Sequence, residues 1–152
     1  MNKPIYLDNQ STTPLDPKVL EAMLPYLKNK FGNASSIHHS YGQENKEAVE
    51  GARLMVAQSI CSDKRDIIFT SGATESINLA LKGLCQSYNG VGHIITQNTE
   101  HRAVLDTCRA LESEGWKISY LPVDKDGLID SQSILNAICK ETVLVAIMHA
   151  NN

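Results

Sequence analysis

The stretch Asp66-Ile67-Ile68-Phe69-Thr70-Ser71-Gly72-Ala73-Thr74-Glu75-Ser76-Ile77-Asn78-Leu79-Ala80-Leu81 changes rhythm twice. It opens on a short apolar run, passes through small and polar residues around Gly72, and continues from Ile77 with apolar residues at helical spacing. A brief apolar run bounded by turn chemistry predicts a buried strand over 66–70, and the 3.6-residue period after it predicts a helix. Downstream the same step repeats. Gly90 and Gly92 close the helix and lead into a strand at 93–96. A helix over about 101–114 puts Val104, Leu105, Cys108 and Leu111 on one side, and Gly115 stops it. A strand at 117–123, a turn at Asp124-Lys125-Asp126-Gly127, a short helix capped by Asp130 and a very apolar strand at 142–148 complete the series. Strands alternating with helices predict an α/β fold: a mostly parallel sheet flanked by helices, joined by right-handed crossovers.

Upstream of this series the pattern is helical. Asp16 is placed to cap a helix with Pro17 in its first position, and Val19, Leu20, Met23, Leu24 and Leu27 form its apolar stripe. Pro25 is expected to kink that helix and Gly32 to end the region. Residues 33–42 are polar and glycine-punctuated and read as a loop; 43–60 read as a long amphipathic helix.

Composition narrows the function classes. The 152 residues are enough to bury roughly 70% of the unfolded surface, and 42% hydrophobic with 20% charged residues excludes a disordered chain. The longest aliphatic run, 143–148, falls far short of the roughly 20 residues of a membrane helix. The first fourteen residues carry neither an apolar core nor an Arg-rich pattern of a targeting peptide. A net charge of −3, from scattered groups, offers no basic block for nucleic acid. A soluble, cytoplasmic chain is the expectation. Cys61, Cys85, Cys108 and Cys139 lie far apart, which suits reduced, mostly buried structural thiols better than a disulfide framework or zinc site. His38 and His39 are adjacent and lack a third ligand at metal-site spacing, so no metal is expected. The chain stops just after its strongest strand, where an open α/β sheet builds its ligand site. A fragment of a longer protein is therefore expected, with a complete minimal domain as the alternative.

Three strand ends carry polar groups. At Ser71-Gly72-Ala73-Thr74-Glu75-Ser76, glycine allows a tight turn and small residues let an anion approach the free amides of a helix start. The plainer alternative is a capping turn, with Ser71 as cap and Glu75 complementing the dipole. The run lacks the Gly-Lys-Ser/Thr of a P-loop and the further glycines of a dinucleotide fingerprint. In Asn98-Thr99-Glu100-His101-Arg102, the imidazole could stack on a flat cofactor or move protons, or Thr99 and Glu100 could simply start a helix. His149-Ala150-Asn151-Asn152 offers amides for a ligand's oxygens. Together these segments suit phosphate anchoring, ring stacking and oxygen recognition.

Several motifs occur in order along the chain: Tyr6-Leu7-Asp8-Asn9-Gln10-Ser11-Thr12-Thr13-Pro14, Phe31-Gly32-Asn33, Phe69 through Asn78, Thr99 through Asp106, and Met148 through Asn152. Together they resemble the cysteine desulfurases of the class V aminotransferase group, closest to the housekeeping iron–sulfur assembly type. The resemblance implies a fold-type I transferase, with 1–14 contributing to a small domain and 15–152 forming part of the large cofactor-binding domain. It implies pyridoxal 5'-phosphate as cofactor, its phosphate held by Ala73 and Thr74, its ring stacked by His101, and Asn152 contacting cofactor and substrate. His101 would also be catalytic. The implied reaction takes sulfur from L-cysteine, leaves L-alanine, and passes a persulfide to iron–sulfur scaffold and other acceptor proteins from a homodimer. Ser11, Ala34 and Ile37 depart from the family's usual Ala, Pro and Arg, and Ile37 bears on the substrate entrance. The lysine that binds the cofactor, the aspartate that pairs with its ring nitrogen and the nucleophilic cysteine belong to later family sequence, so the 152 residues alone are expected to be inactive. A selenocysteine lyase, an aminotransferase-type relative and a non-catalytic binding or dimerisation module are the alternatives.

Overall fold

The computed structural model describes residues 4–150, which fall into two compact units divided between Phe69 and Thr70. In the first, α1 (Pro17–Lys28) starts as its sequence predicts: the Asp16 carboxylate accepts from Lys18 N at 2.8 Å and Pro17 occupies the first turn. The helix continues through Pro25, whose carbonyl accepts from Asn29 N and Lys30 N at its end. The second helix, α2 (Ser40–Ser59), begins three residues before the expected boundary because His39 caps it, Nδ1 accepting from Gly42 N at 3.2 Å. Gly42 belongs to that first turn rather than to the loop. A Cβ there would lie 1.9 Å from Ser36 O, so only glycine lets 33–36 cross the helix start. At its far end α2 closes with Ser62 N bonded to Ala57 O and Cys61 N to Gln58 O, which puts Cys61 in the left-handed region at φ 54°.

The expected strand at 66–70 is absent. Lys64–Asp66 form one 3-10 turn, and the chain then runs extended without a ladder partner among the described residues. Arg53 holds this segment: its guanidinium donates to Ile67 O and sits 4.9 Å from the Phe69 ring centroid. Local preference makes the backbone extended; a strand also needs a neighbour to exchange hydrogen bonds, and none is supplied.

The second unit carries the sheet. After α3 (Ala73–Ser87) come β1 (His93–Gln97), α4 (Arg102–Ser113), β2 (Lys117–Leu121), α5 (Ser131–Ala137) and β3 (Thr142–Ala146). All pairing is parallel, in the order β2-β1-β3. The fold is the α/β arrangement of parallel strands and flanking helices that the alternating pattern predicts, although β2 and β3 each end two residues earlier than expected. Every residue of β1 is buried, as suits the central strand of a parallel sheet. Ile94 packs with Leu81 and Cys85 of α3, Val104, Cys108 and Leu111 of α4, and Trp116. Gly115, at φ 99°, ends α4 and lets Trp116 N return to Leu111 O. Of the four cysteines, only Cys85 and Cys108 are buried; Cys61 and Cys139 are exposed, because each lies just past a helix rather than on its inner face. Burial pushes the Cys108 thiol up to about 11.

Candidate functional site

The sheet order fixes where a ligand can enter. From β1 the chain crosses through α4 to β2, then passes back through α5 to β3 on the opposite side of β1. Right-handed crossovers in these opposite directions put α4 and α5 on opposite faces of the sheet. Open α/β sheets bind ligands at the carboxyl ends of their strands, and here those ends carry 98–101 after β1 and 147–150 after β3. The short connection 88–92 ties the end of α3 to the start of β1, which brings the start of α3 to the same edge. Ala73, Thr74, His101 and 148–150 therefore share one edge of the second unit. Asn151 and Asn152 lie outside the described residues.

At the start of α3 the N-cap is Gly72, not Ser71, and no side chain caps the first turn. Glu75 turns back instead, its Oε2 accepting from Ser71 N and Ser71 Oγ at 2.6 Å each. These bonds hold the exposed Glu75 carboxyl below its usual range. Thr70 Oγ1 lies 2.6 Å from Ser76 Oγ and donates to Gly72 O at 3.2 Å, fixing the turn from behind. The first-turn amides at Ala73 and Thr74, both exposed, are left without a side-chain acceptor. This donor set fits a phosphate-bearing ligand: open amides, a positive dipole end and a hydroxyl on Thr74.

At the start of α4 the cap is His101, not Thr99. Its Nδ1 accepts from Ala103 N at 3.1 Å, which places the ring proton on Nε2 and sets the ring at the helix mouth. The imidazole is exposed, so capping leaves its outward face and Nε2 available to a ligand. Thr99 instead accepts from Gln97 Nε2 at 3.2 Å.

Glu100 is the residue that local sequence reading misplaces. Rather than facing solvent at the helix start, it is 8% exposed, and its Oε1 accepts from Met148 N at 2.5 Å. Burial raises its carboxyl pKa, and the bond from Met148 opposes that rise. No spacing signal could reveal this, since the partner lies 48 residues away. Beside it, a recess of about 440 Å³ is lined by Gln97 at the end of β1 and Thr99 after it, Asp126 through Ile129 before α5, and Met148, His149 and Ala150 after β3.

Comparison with known proteins agrees with the fold. Residues 5–152 match the aminotransferase class-V family. The cysteine desulfurase IscS of Rickettsia felis is 57% identical over 152 residues, covering 99% of this chain and 37% of that protein. The chain thus spans little more than a third of the length of the curated relatives it matches. Among solved structures, a NifS-like protein superposes with a TM-score of 0.89 at 38% identity, covering 94% of this chain and 39% of its own. SspA, solved in complex with cysteine, superposes at 0.86 with 39% identity, covering 93% of this chain and 41% of its own.

Proposed function

The chain belongs to the aminotransferase class-V family, and from that premise we propose that its protein is a pyridoxal 5'-phosphate-dependent cysteine desulfurase of the iron–sulfur assembly type. It takes sulfur from L-cysteine, leaves L-alanine, and passes the sulfur to scaffold and acceptor proteins. Support comes from the relatives named as cysteine desulfurases. The structural observation that carries the reading is the uncapped start of α3, with its exposed amides on the same edge as His101. Ala73 and Thr74 hold the cofactor phosphate, His101 lies against its ring, and Asn152 contacts cofactor and substrate. When bound, the cofactor supplies the electron sink for cleavage of the carbon–sulfur bond. Residues 1–14 belong to a small domain and 15–152 to the large cofactor domain of a cytoplasmic homodimer. Among the described residues no helix is long and apolar enough to cross a membrane.

The test is made on the full-length natural protein. Thr74→Val removes one hydroxyl donor to an anion, a bond worth about 1.5–3 kcal/mol, and should weaken cofactor binding roughly tenfold or more. Unchanged affinity overturns the phosphate role. His101→Ala should slow alanine release from L-cysteine while leaving the protein folded; full activity would return His101 to a purely capping role. Absence of alanine release by the wild-type protein, with cofactor bound, overturns the desulfurase reading.

A further inference from the structure

The ladder between β1 and β3 closes at the pair Thr96 and Ala146, where Thr96 Oγ1 also donates to Ala146 O at 2.8 Å. Beyond that pair no ladder bond joins the two strands among the described residues. One side chain spans the gap. The Glu100 carboxylate follows β1, immediately before His101, and accepts the backbone N–H of Met148, two residues past the end of β3. The residue is buried, so the bond acts in a low-dielectric setting and is not traded freely for water. It is also the bond that gives the Met148 amide an acceptor once the ladder has ended.

We propose that Glu100 is a positioning residue that braces the crevice at the carboxyl ends of β1 and β3, holding the segment after β3 against the start of α4 so that both walls meet a bound cofactor in register. The role rests on the function proposed above and adds to it a residue that touches neither cofactor nor substrate. Its action runs through its two neighbours in space: His101, next in sequence and fixed as the α4 cap, and the segment 148–150 that lines the recess. The group needed is an acceptor at the position of Oε1, not a negative charge. That separates it from an acid that merely complements a helix dipole, for which charge alone matters.

The experiment compares wild type, Glu100→Gln, Glu100→Asp and Glu100→Ala in the full-length natural protein. Two quantities are read: amide hydrogen exchange over 145–150 in the absence of cofactor, and the dissociation constant for added pyridoxal 5'-phosphate. The Gln variant keeps an acceptor at the same reach and should stay within about threefold of wild type in both. The Asp variant keeps the charge but withdraws the acceptor by one methylene. In it and the Ala variant the Met148 amide should exchange roughly tenfold faster and the dissociation constant should rise roughly tenfold. Wild-type exchange in the Ala and Asp variants overturns the brace, as does a Gln variant that behaves like Ala. If Ala unfolds, Asp against Gln still decides. Failure of the wild-type protein to bind cofactor while Met148 stays protected overturns the proposed function and leaves the brace to be judged on exchange alone.

Discussion

Glu75 and Glu100 both stand at the start of a helix, and local sequence treats them alike, as acids that complement a dipole. Their surroundings separate them. Glu75 is exposed and its carboxyl is lowered first by the Ser71 hydroxyl and then by the Ser71 amide. Glu100 is buried and its carboxyl is raised by that burial. The two therefore affect stability with opposite sign. For Glu75 the unfolded chain takes up the proton more readily, so its contribution is present above the ordinary carboxylate range and lost as pH falls through the lowered folded value. For Glu100 the folded chain keeps the proton more tightly. Its contribution is greatest below the unfolded value and is lost as pH rises through the raised folded value. Glu100→Gln, which keeps an acceptor but cannot ionise, should thus gain stability relative to wild type as pH rises from about 4 to about 7. Urea unfolding across that range measures the difference; a flat difference would mean that Glu100 ionises as easily folded as unfolded. The candidate site is legible at this scale in part. Motif and helix starts single out Ala73, Thr74 and His101 as candidates, whereas the bond from Met148 to Glu100 exists only once β1 and β3 lie side by side.

Elements were legible where one stretch of chain contains its own cause. The start of α1 is written in Asp16 and Pro17, the start of α5 in Asp130, whose carboxylate accepts from Gln132 N and Ser133 N. The starts of α2 and α4 were less so, because both are capped by histidine, a residue outside the usual Ser, Thr, Asp and Asn set. The extended run 67–69 shows the opposite limit: its residues favour a strand, yet strand formation depends on a partner its own sequence cannot name. Within the sheet, His93 ties the three strands together at their amino ends. Its Nδ1 lies 2.9 Å from Thr142 Oγ1 on β3, and its Nε2 lies 2.8 Å from Ser119 Oγ on β2. The ring is buried, so losing it leaves two hydroxyls without that partner and a void beneath them. His93→Ala should destabilise the protein by about 2–4 kcal/mol, read as a lower urea midpoint. The edge proposed to bind cofactor lies at the other end of the strands, so affinity for pyridoxal 5'-phosphate at low urea should hold. A variant as stable as wild type would show that the bridging bonds contribute no net stability.

At the scale of the whole chain, the sheet presents more edge than it closes. Strands β2 and β3 each pair with β1 on one side, and no other described strand takes up their outer sides. The extended 67–69 segment adds backbone without a ladder partner among the described residues, with Ile68 and Phe69 exposed at 65% and 49%. Unpaired N–H and C=O groups beside apolar side chains form a template for pairing with another chain. Natural edges are blunted by charge, but Val145 on β3 is an exposed aliphatic residue. The 152-residue polypeptide expressed alone should therefore associate in a concentration-dependent way, with an apparent mass by light scattering that rises across a dilution series. Placing a charge on each open backbone, Val145→Lys with Ile68→Lys, should shift that association to higher concentration without removing any buried contact of the Ile94 cluster. The same pair of substitutions in the full-length natural protein should instead cost solubility or stability if those backbones are paired there, since a lysine would then be forced between strands. A polypeptide that stays monomeric at every concentration would mean that contacts within the chain already cover these edges.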